Sequence, residues 1–235
     1  MKKSNEAGGE LPRPSELVLY KCNAFWICIK PAGMPVLPDK TGDPSLLDLM
    51  VKYGHHRFYP VHRLDRPVSG LVILACSKPV AAEFSKLFKA GKVEKTYLAV
   101  TADMPDPPEG RLEDNLVTAE KVNKAFIADD DDEKGLKASL TYAYLGSSDR
   151  YHLLRIQTDS GRFHQIRAQL AGAGWPIKGD VKYGSRRGNR DRSIHLHACK
   201  LQFPHPVSGE LCHYEAPPPD QDPVWGALAS ALSAD

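Results

Sequence analysis

The sequence predicts an α+β fold built on a mostly antiparallel or mixed sheet. Apolar runs of strand length outnumber helical ones, and several are joined by turn clusters short enough for hairpins. No internal repeat or heptad pattern competes with that reading. With 235 residues, 42% hydrophobic and 26% charged, the chain has ordinary globular composition and length for one sizeable core, so one domain is expected.

Residues 1–16 carry Gly8, Gly9, Pro12 and Pro14 without a hydrophobic period and read as a flexible tail. Leu17 to Tyr20 and Phe25 to Ile29 form a hairpin around Cys22-Asn23-Ala24, and Pro31, Gly33 and Pro35 impose a loop. Ser45 caps a helix carrying Leu46, Leu47, Leu49 and Met50, and Phe58 to Leu64 returns as a strand. Gly70 to Ala75 reads as a buried strand. Pro79 opens a helix with Val80, Phe84, Leu87 and Phe88 at helical spacing. Lys95 to Val100 is a further strand, and Leu140 to Leu145 pairs with Tyr151 to Thr158 across a Gly146 to Asp149 turn. A helix over about His164 to Ala171 and a hairpin of Ile194 to Phe203 with Leu211 to Ala216 complete the elements. The expected domain is 17–222, with 223–235 a tail or short helix.

No apolar run approaches the roughly eighteen residues of a membrane span, and Met1 to Pro14 lacks the apolar core of a signal peptide. A cytoplasmic protein without a membrane partner is expected. The five cysteines lie mostly in apolar segments with no C-x-x-C pair, which suits reduced core residues. Net charge is only +2, yet the acidic run Asp129 to Glu133 holds five of the 29 acids, leaving 31 bases against 24. If that run is a solvated loop, the remaining surface is more basic than the total, which permits RNA binding.

Two stretches are dense in polar groups. In His62-Arg63-Leu64-Asp65-Arg66-Pro67-Val68-Ser69-Gly70, alternation puts Arg63 and Asp65 on one face, with the carboxylate at a strand end. A catalytic acid fits this spacing, and so does a loop staple in which Asp65 pairs with Arg63 or Arg66. In the second, Arg162, His164, Gln165 and Arg167 at a helix start offer donors together with the positive end of the helix dipole, a common phosphate-binding arrangement. An amphipathic surface helix is the alternative. Lys178, Lys182, Arg186, Arg187, Arg190 and Arg192 make a basic stretch suited to RNA phosphates or to a solvated loop.

The blocks His62 to Gly70 and Gly161 to Gly184 resemble the two signature motifs of RluA-type pseudouridine synthases. The first family pattern is roughly H-R-L-D-x-x-T-S-G, and the second G-R-x-H-Q-I-R followed by G-x-P-I-x-G-D-x-x-Y-G. Lys95-Thr96-Tyr97-Leu98-Ala99 and Lys30-Pro31-Ala32-Gly33-Met34-Pro35-Val36 are similar to its K-x-Y-x-A strand and K-P-A-G-x-x-V loop, so the resemblance spans Leu17 to Ala216. Val68 stands where Thr is usual and Gln169 where His is common.

The resemblance implies the pseudouridine synthase fold, with flanking helices and an active-site cleft across the sheet. It also implies isomerisation of uridine in structured tRNA or rRNA, with no cofactor or metal because nothing is oxidised or reduced. Asp65 is then the essential aspartate, Tyr97 stacks on the uracil, and Arg167 pairs with Asp65. The base is flipped out and Arg63 fills the vacated stack. With the charge pattern of the two stretches, His62, Arg162, His164, Gln165, Lys182, Arg186, Arg187 and Arg190 are expected to contact RNA. Many relatives carry a small RNA-binding domain, for which the stretch before Leu17 is too short. RNA affinity is therefore expected to rest on the catalytic domain, acting as a monomer. Two rivals remain: a metal hydrolase using His195-Leu196-His197, a weak ligand pattern by itself, and a non-catalytic RNA-binding module.

Overall fold

The computed structural model describes residues 12–129 and 132–232. Most of the expected tail and the centre of the acidic run lie outside the described residues. The tail expectation ends early, because Pro14–Leu17 forms a 3-10 turn with Leu17 buried. In chain order the elements are β1 (Val18–Lys21), β2 (Phe25–Lys30), α1 (Leu46–Gly54), β3 (Tyr59–Pro60), β4 (Ser69–Ala75), α2 (Lys78–Lys89), β5 (Glu94–Thr101), β6 (Glu109–Ala119), β7 (Lys124–Ala128), β8 (Leu136–Ser147), β9 (His152–Thr158), α3 (Gln165–Gly172), β10 (Leu196–Pro204), β11 (Leu211–Glu215), α4 (Pro223–Gly226) and α5 (Ala229–Leu232). The expected α+β class holds. The chain divides into two compact units where one domain was expected: one up to Val93 with Lys200–Ala216, the other Glu94–Cys199 with the residues from Pro217 on. Among the described residues no helix is long and apolar enough to cross a membrane.

In the first unit β2 and β4 pair antiparallel, from Phe25 opposite Ala75 to Lys30 opposite Gly70. All seven residues of β4 are buried, which is why its apolar run shows no alternation. Phe25, Ile27, Leu71, Ile73, Phe84 and Phe203 form the core, with the Phe25 and Phe84 rings edge to face at 5.5 Å. Ser45 caps α1 as expected: its Oγ accepts from the Asp48 N–H at 3.1 Å, and the Asp48 carboxylate accepts from the Ser45 N–H at 3.2 Å. The strand expected over Phe58 to Leu64 shrinks to Tyr59–Pro60. Pro60 has no N–H for a ladder, and the Ile73 N–H is donated to the His62 ring at 2.9 Å.

The second unit is an antiparallel meander in the order β5-β9-β8-β6-β7. Its outer strands went unrecognised in the sequence because β6 (EGRLEDNLVTA) buries only Leu116 and so lacks the apolar alternation of a half-buried strand. From residue 223 the described chain forms the short helices α4 and α5. Asp222 caps α4, accepting from Val224 N–H at 2.8 Å, and Trp225 and Leu228 are buried against Leu98, Val100, Leu153 and Cys199.

Candidate active site

Asp65 opens the turn that leads into β4: its carbonyl accepts from the Val68 N–H at 3.1 Å. Of the two arginines the sequence offers as a staple for Asp65, Arg66 is engaged elsewhere. Its guanidinium turns to Asp43 Oδ2 at 2.5 Å, Thr41 Oγ1 at 2.9 Å and Asp39 at 3.6 Å. The turn is held through the Arg66 backbone instead, whose carbonyl accepts from Gly33 N–H at 2.8 Å and from the Lys30 ammonium at 3.2 Å. Lys30 is fully buried and also donates to the carbonyls of Pro31 at 2.9 Å and Met34 at 2.8 Å. Burial pulls its ammonium down to about 7; the Asp65 charge opposes this and Arg66 adds to it. Gly33 takes φ +83°, a left-handed conformation that brings its N–H to the Arg66 carbonyl. Arg63 is exposed, while His62 is half-buried with its ring 5.5 Å from that of Phe88.

In the second unit Tyr97 lies on β5 opposite Ile156 of β9 and is nearly buried. Lys95, two residues earlier, reaches the Ser160 carbonyl at 3.2 Å, and burial lowers its pKa. The helix entrance differs from the phosphate-holding one expected, because α3 is buried almost end to end. The Gln165 amide accepts from Ser160 Oγ at 2.7 Å and Arg162 N–H at 3.1 Å, and donates to the Ser139 carbonyl at 2.9 Å. His164, in the left-handed region at φ +53°, is buried with Nδ1 2.9 Å from the Tyr183 hydroxyl. Arg162 is exposed and donates to the Lys137 carbonyl at 3.2 Å. Arg167 has a partner the sequence did not suggest. Its Nε and Nη2 hold both oxygens of buried Asp180 at 2.6 and 2.9 Å, and its guanidinium lies 5.0 Å from the Tyr183 ring centre.

The basic stretch separates into two kinds of residue. Lys182 donates to the carbonyls of Asn123 at 3.0 Å and Val122 at 3.4 Å, tying down a turn. Arg186, Arg187 and Arg190 are exposed side chains on the loop 184–193. Both histidines of the H-x-H pattern are buried and engaged: His195 Nε2 lies 3.1 Å from Asp222 Oδ1, and the His197 ring faces Trp225 at 6.4 Å. Among the described residues no three His, Cys, Asp or Glu side chains gather as metal ligands. Lys30, Lys95 and Asp180 lie inside the recognised motifs, yet their roles were not legible. The signal available was a charged residue within an otherwise apolar or glycine-rich segment, which marks a buried, partnered charge.

Residues 24–172 match the family model for RNA pseudouridylate synthase. A tRNA pseudouridine synthase C of Pasteurella multocida is 34% identical over 81% of this chain and 86% of its own length. That of Vibrio parahaemolyticus is 31% identical over 94% and 97%. The solved structure of human RNA pseudouridylate synthase domain containing 4 superposes with a TM-score of 0.76 at 24% identity, covering 93% of this chain and 95% of that one, a likeness of fold. On these matches, together with the motifs around Asp65, Tyr97 and Arg167, the chain belongs to the RNA pseudouridylate synthase family, RluA-type enzymes that isomerise uridine in RNA to pseudouridine.

Proposed function

We propose that this chain modifies uridine in a transfer RNA, with Asp65 as the essential carboxylate and the target nucleotide flipped out of its stack. The observation that carries the reading is the Asp65 turn: a carboxylate at the head of a buried strand, on a turn whose next carbonyl is clamped by Lys30 and Gly33. A reacting group needs such a fixed backbone. The tRNA assignment is supported by the relatives named tRNA pseudouridine synthase C. In the reaction the bond from N1 to C1′ breaks, the uracil turns, C5 bonds to C1′ and the C5 proton departs while N1 gains one, so the product is an isomer. Asp65 attacks the sugar, attacks the base or removes a ribose proton. Tyr97 stacks on the uracil, and Arg63 occupies the gap left by the flipped base. Arg167, fixed by Asp180, supplies positive charge. Arg186, Arg187 and Arg190 contact phosphates.

Asp65→Asn keeps the side-chain shape and removes the charge. Turnover on unmodified tRNA should fall at least ~10²-fold while RNA affinity is largely kept; retained turnover above about one per cent of wild type would sink the assignment. Mapping pseudouridines in total RNA with and without the protein tests the substrate, and sites confined to ribosomal RNA would overturn the tRNA reading.

A further inference from the structure

We propose that Asn189 is a positioning residue that fixes the loop 184–193 as a preformed phosphate-binding surface for the RNA substrate. The inference rests on the reading that Arg186, Arg187 and Arg190 contact RNA phosphates. Three exposed guanidinium groups within five residues repel one another, and a ten-residue segment with no regular secondary structure would spread them apart unless something held it.

The holder is the Asn189 side chain, which uses both ends of its amide. Its Oδ1 accepts from the Lys178 ammonium at 2.6 Å. Its Nδ2 donates to the Ser193 carbonyl at 3.0 Å and lies 3.1 Å from both Ser193 Oγ and His195 Nδ1. Ser185 adds a second pin, its Oγ accepting from Gly179 N–H at 3.1 Å and donating to the Arg187 carbonyl at 3.2 Å. Gly179 makes room: at φ +90°, a Cβ there would come within 2.7 Å of Asn189 Nδ2. Consecutive residues therefore carry both functions. Lys178 and Gly179 hold the arginine loop, and Asp180 holds Arg167. The chain of contacts continues through His195 to Asp222, the cap of α4. A loop already ordered loses less conformational freedom when RNA binds, so its charges act at full effect.

The test is binding of unfractionated, unmodified tRNA transcripts across a potassium chloride series, with Kd, KM and kcat measured for each variant. Asn189→Ala should raise Kd and KM roughly ten-fold, the equivalent of reordering about one residue. Its log K against log salt slope should stay as in wild type, because every arginine is retained, and kcat at saturating RNA should change far less than KM. Ser185→Ala should move Kd the same way by less, and it guards against misfolding of the first variant. The triple change of Arg186, Arg187 and Arg190 to Ala should instead flatten the slope by roughly 0.7 to 0.9 per contact. If that triple variant weakens binding while Asn189→Ala and Ser185→Ala leave Kd unchanged, the positioning role is overturned and the phosphate reading stands. If the triple variant binds as wild type with an unchanged slope, the phosphate reading falls and the inference with it.

Discussion

The Asp65 turn and the arginine loop are both irregular segments tied down around a polar side chain, and the two central side chains differ in charge. Lys30 brings a buried ammonium to three carbonyls, whereas Asn189 brings a neutral amide to a lysine, a serine and a histidine. A charged hub binds carbonyls strongly but keeps a desolvated charge, so its strength depends on pH near neutrality. A neutral hub has no charge to lose and changes with pH only through a titrating neighbour. The Asp65 turn is thus fixed by a strong, costly contact, and the arginine loop by weaker, distributed ones.

Lys30→Met is the largest expected break in this comparison. It leaves the Pro31 and Met34 carbonyls without their ammonium donor, each worth about 1 to 3 kcal/mol, while relief of the desolvated charge returns part. A net loss of about 2 to 4 kcal/mol in urea unfolding is expected. Turnover of the protein that remains folded should drop far less than for Asp65→Asn. An unchanged unfolding midpoint would break the hub reading. The same variant reveals the charge. Because the folded ammonium titrates near 7 and the unfolded one at the ordinary 10.5, the unfolded chain binds more protons between these values. Wild-type stability minus that of Lys30→Met should therefore be lowest below pH 7 and rise from there toward 10.5. A difference flat in pH would show that the ammonium is not held charged against burial.

Two glycines sharpen the comparison at intermediate size. Gly33 and Gly179 both have positive φ, at +83° and +90°, so an alanine at either strains the backbone by about 1 to 2 kcal/mol. Only at Gly179 does the added carbon meet the hub, at 2.7 Å from Asn189 Nδ2 and 2.9 Å from the Ser193 carbonyl; at Gly33 nothing lies within 4 Å. Gly179→Ala should thus unfold at lower urea than Gly33→Ala and also bind tRNA more weakly, whereas Gly33→Ala should keep wild-type affinity. Equal tRNA affinities would show that Asn189 gives way without disturbing the loop.

What the sequence revealed follows the same physics. The Ser45 cap and the unbroken apolar run of β4 are local signals, and the structure keeps both. Strand β6 was missed because its side chains are mostly exposed, so period 2 carries no hydrophobic mark. The motifs contain Asp65, Tyr97 and Arg167 as well as Lys30 and Asp180, but do not tell which residue each of the last two holds. Asp180 lies thirteen positions from Arg167, and Lys30 reaches a carbonyl thirty-six positions away, separations that no local pattern encodes. The helix entrance misled for a related reason: donors at a helix start look like an anion site until burial of Gln165 and His164 shows them bonded within the protein.

The smallest effect concerns the histidine beside the neutral hub. His195 is buried, which lowers its pKa below the ordinary 6.5 despite the hydrogen bond to Asp222 and the Asp222 charge; Lys178 lowers it further, and Trp225 faces the ring at 5.5 Å. Neutral His195 fits its surroundings, with Nε2–H donated to Asp222 and Nδ1 accepting from Asn189. Protonation would put a donor on Nδ1 against the Asn189 donor, and turning that amide would surrender the bond from Lys178. Since the folded pKa is depressed, the unfolded chain takes up a proton first as pH falls. The contribution is therefore whole above 6.5 and is lost progressively below it, down to the folded pKa. Wild-type stability minus that of His195→Gln should fall as pH drops through the range below 6.5, and tRNA affinity at constant salt should weaken over the same range in wild type more than in the variant. A stability difference independent of pH there would mean that His195 takes its proton in the fold as readily as in the unfolded chain, and the arginine loop would then be insensitive to acid.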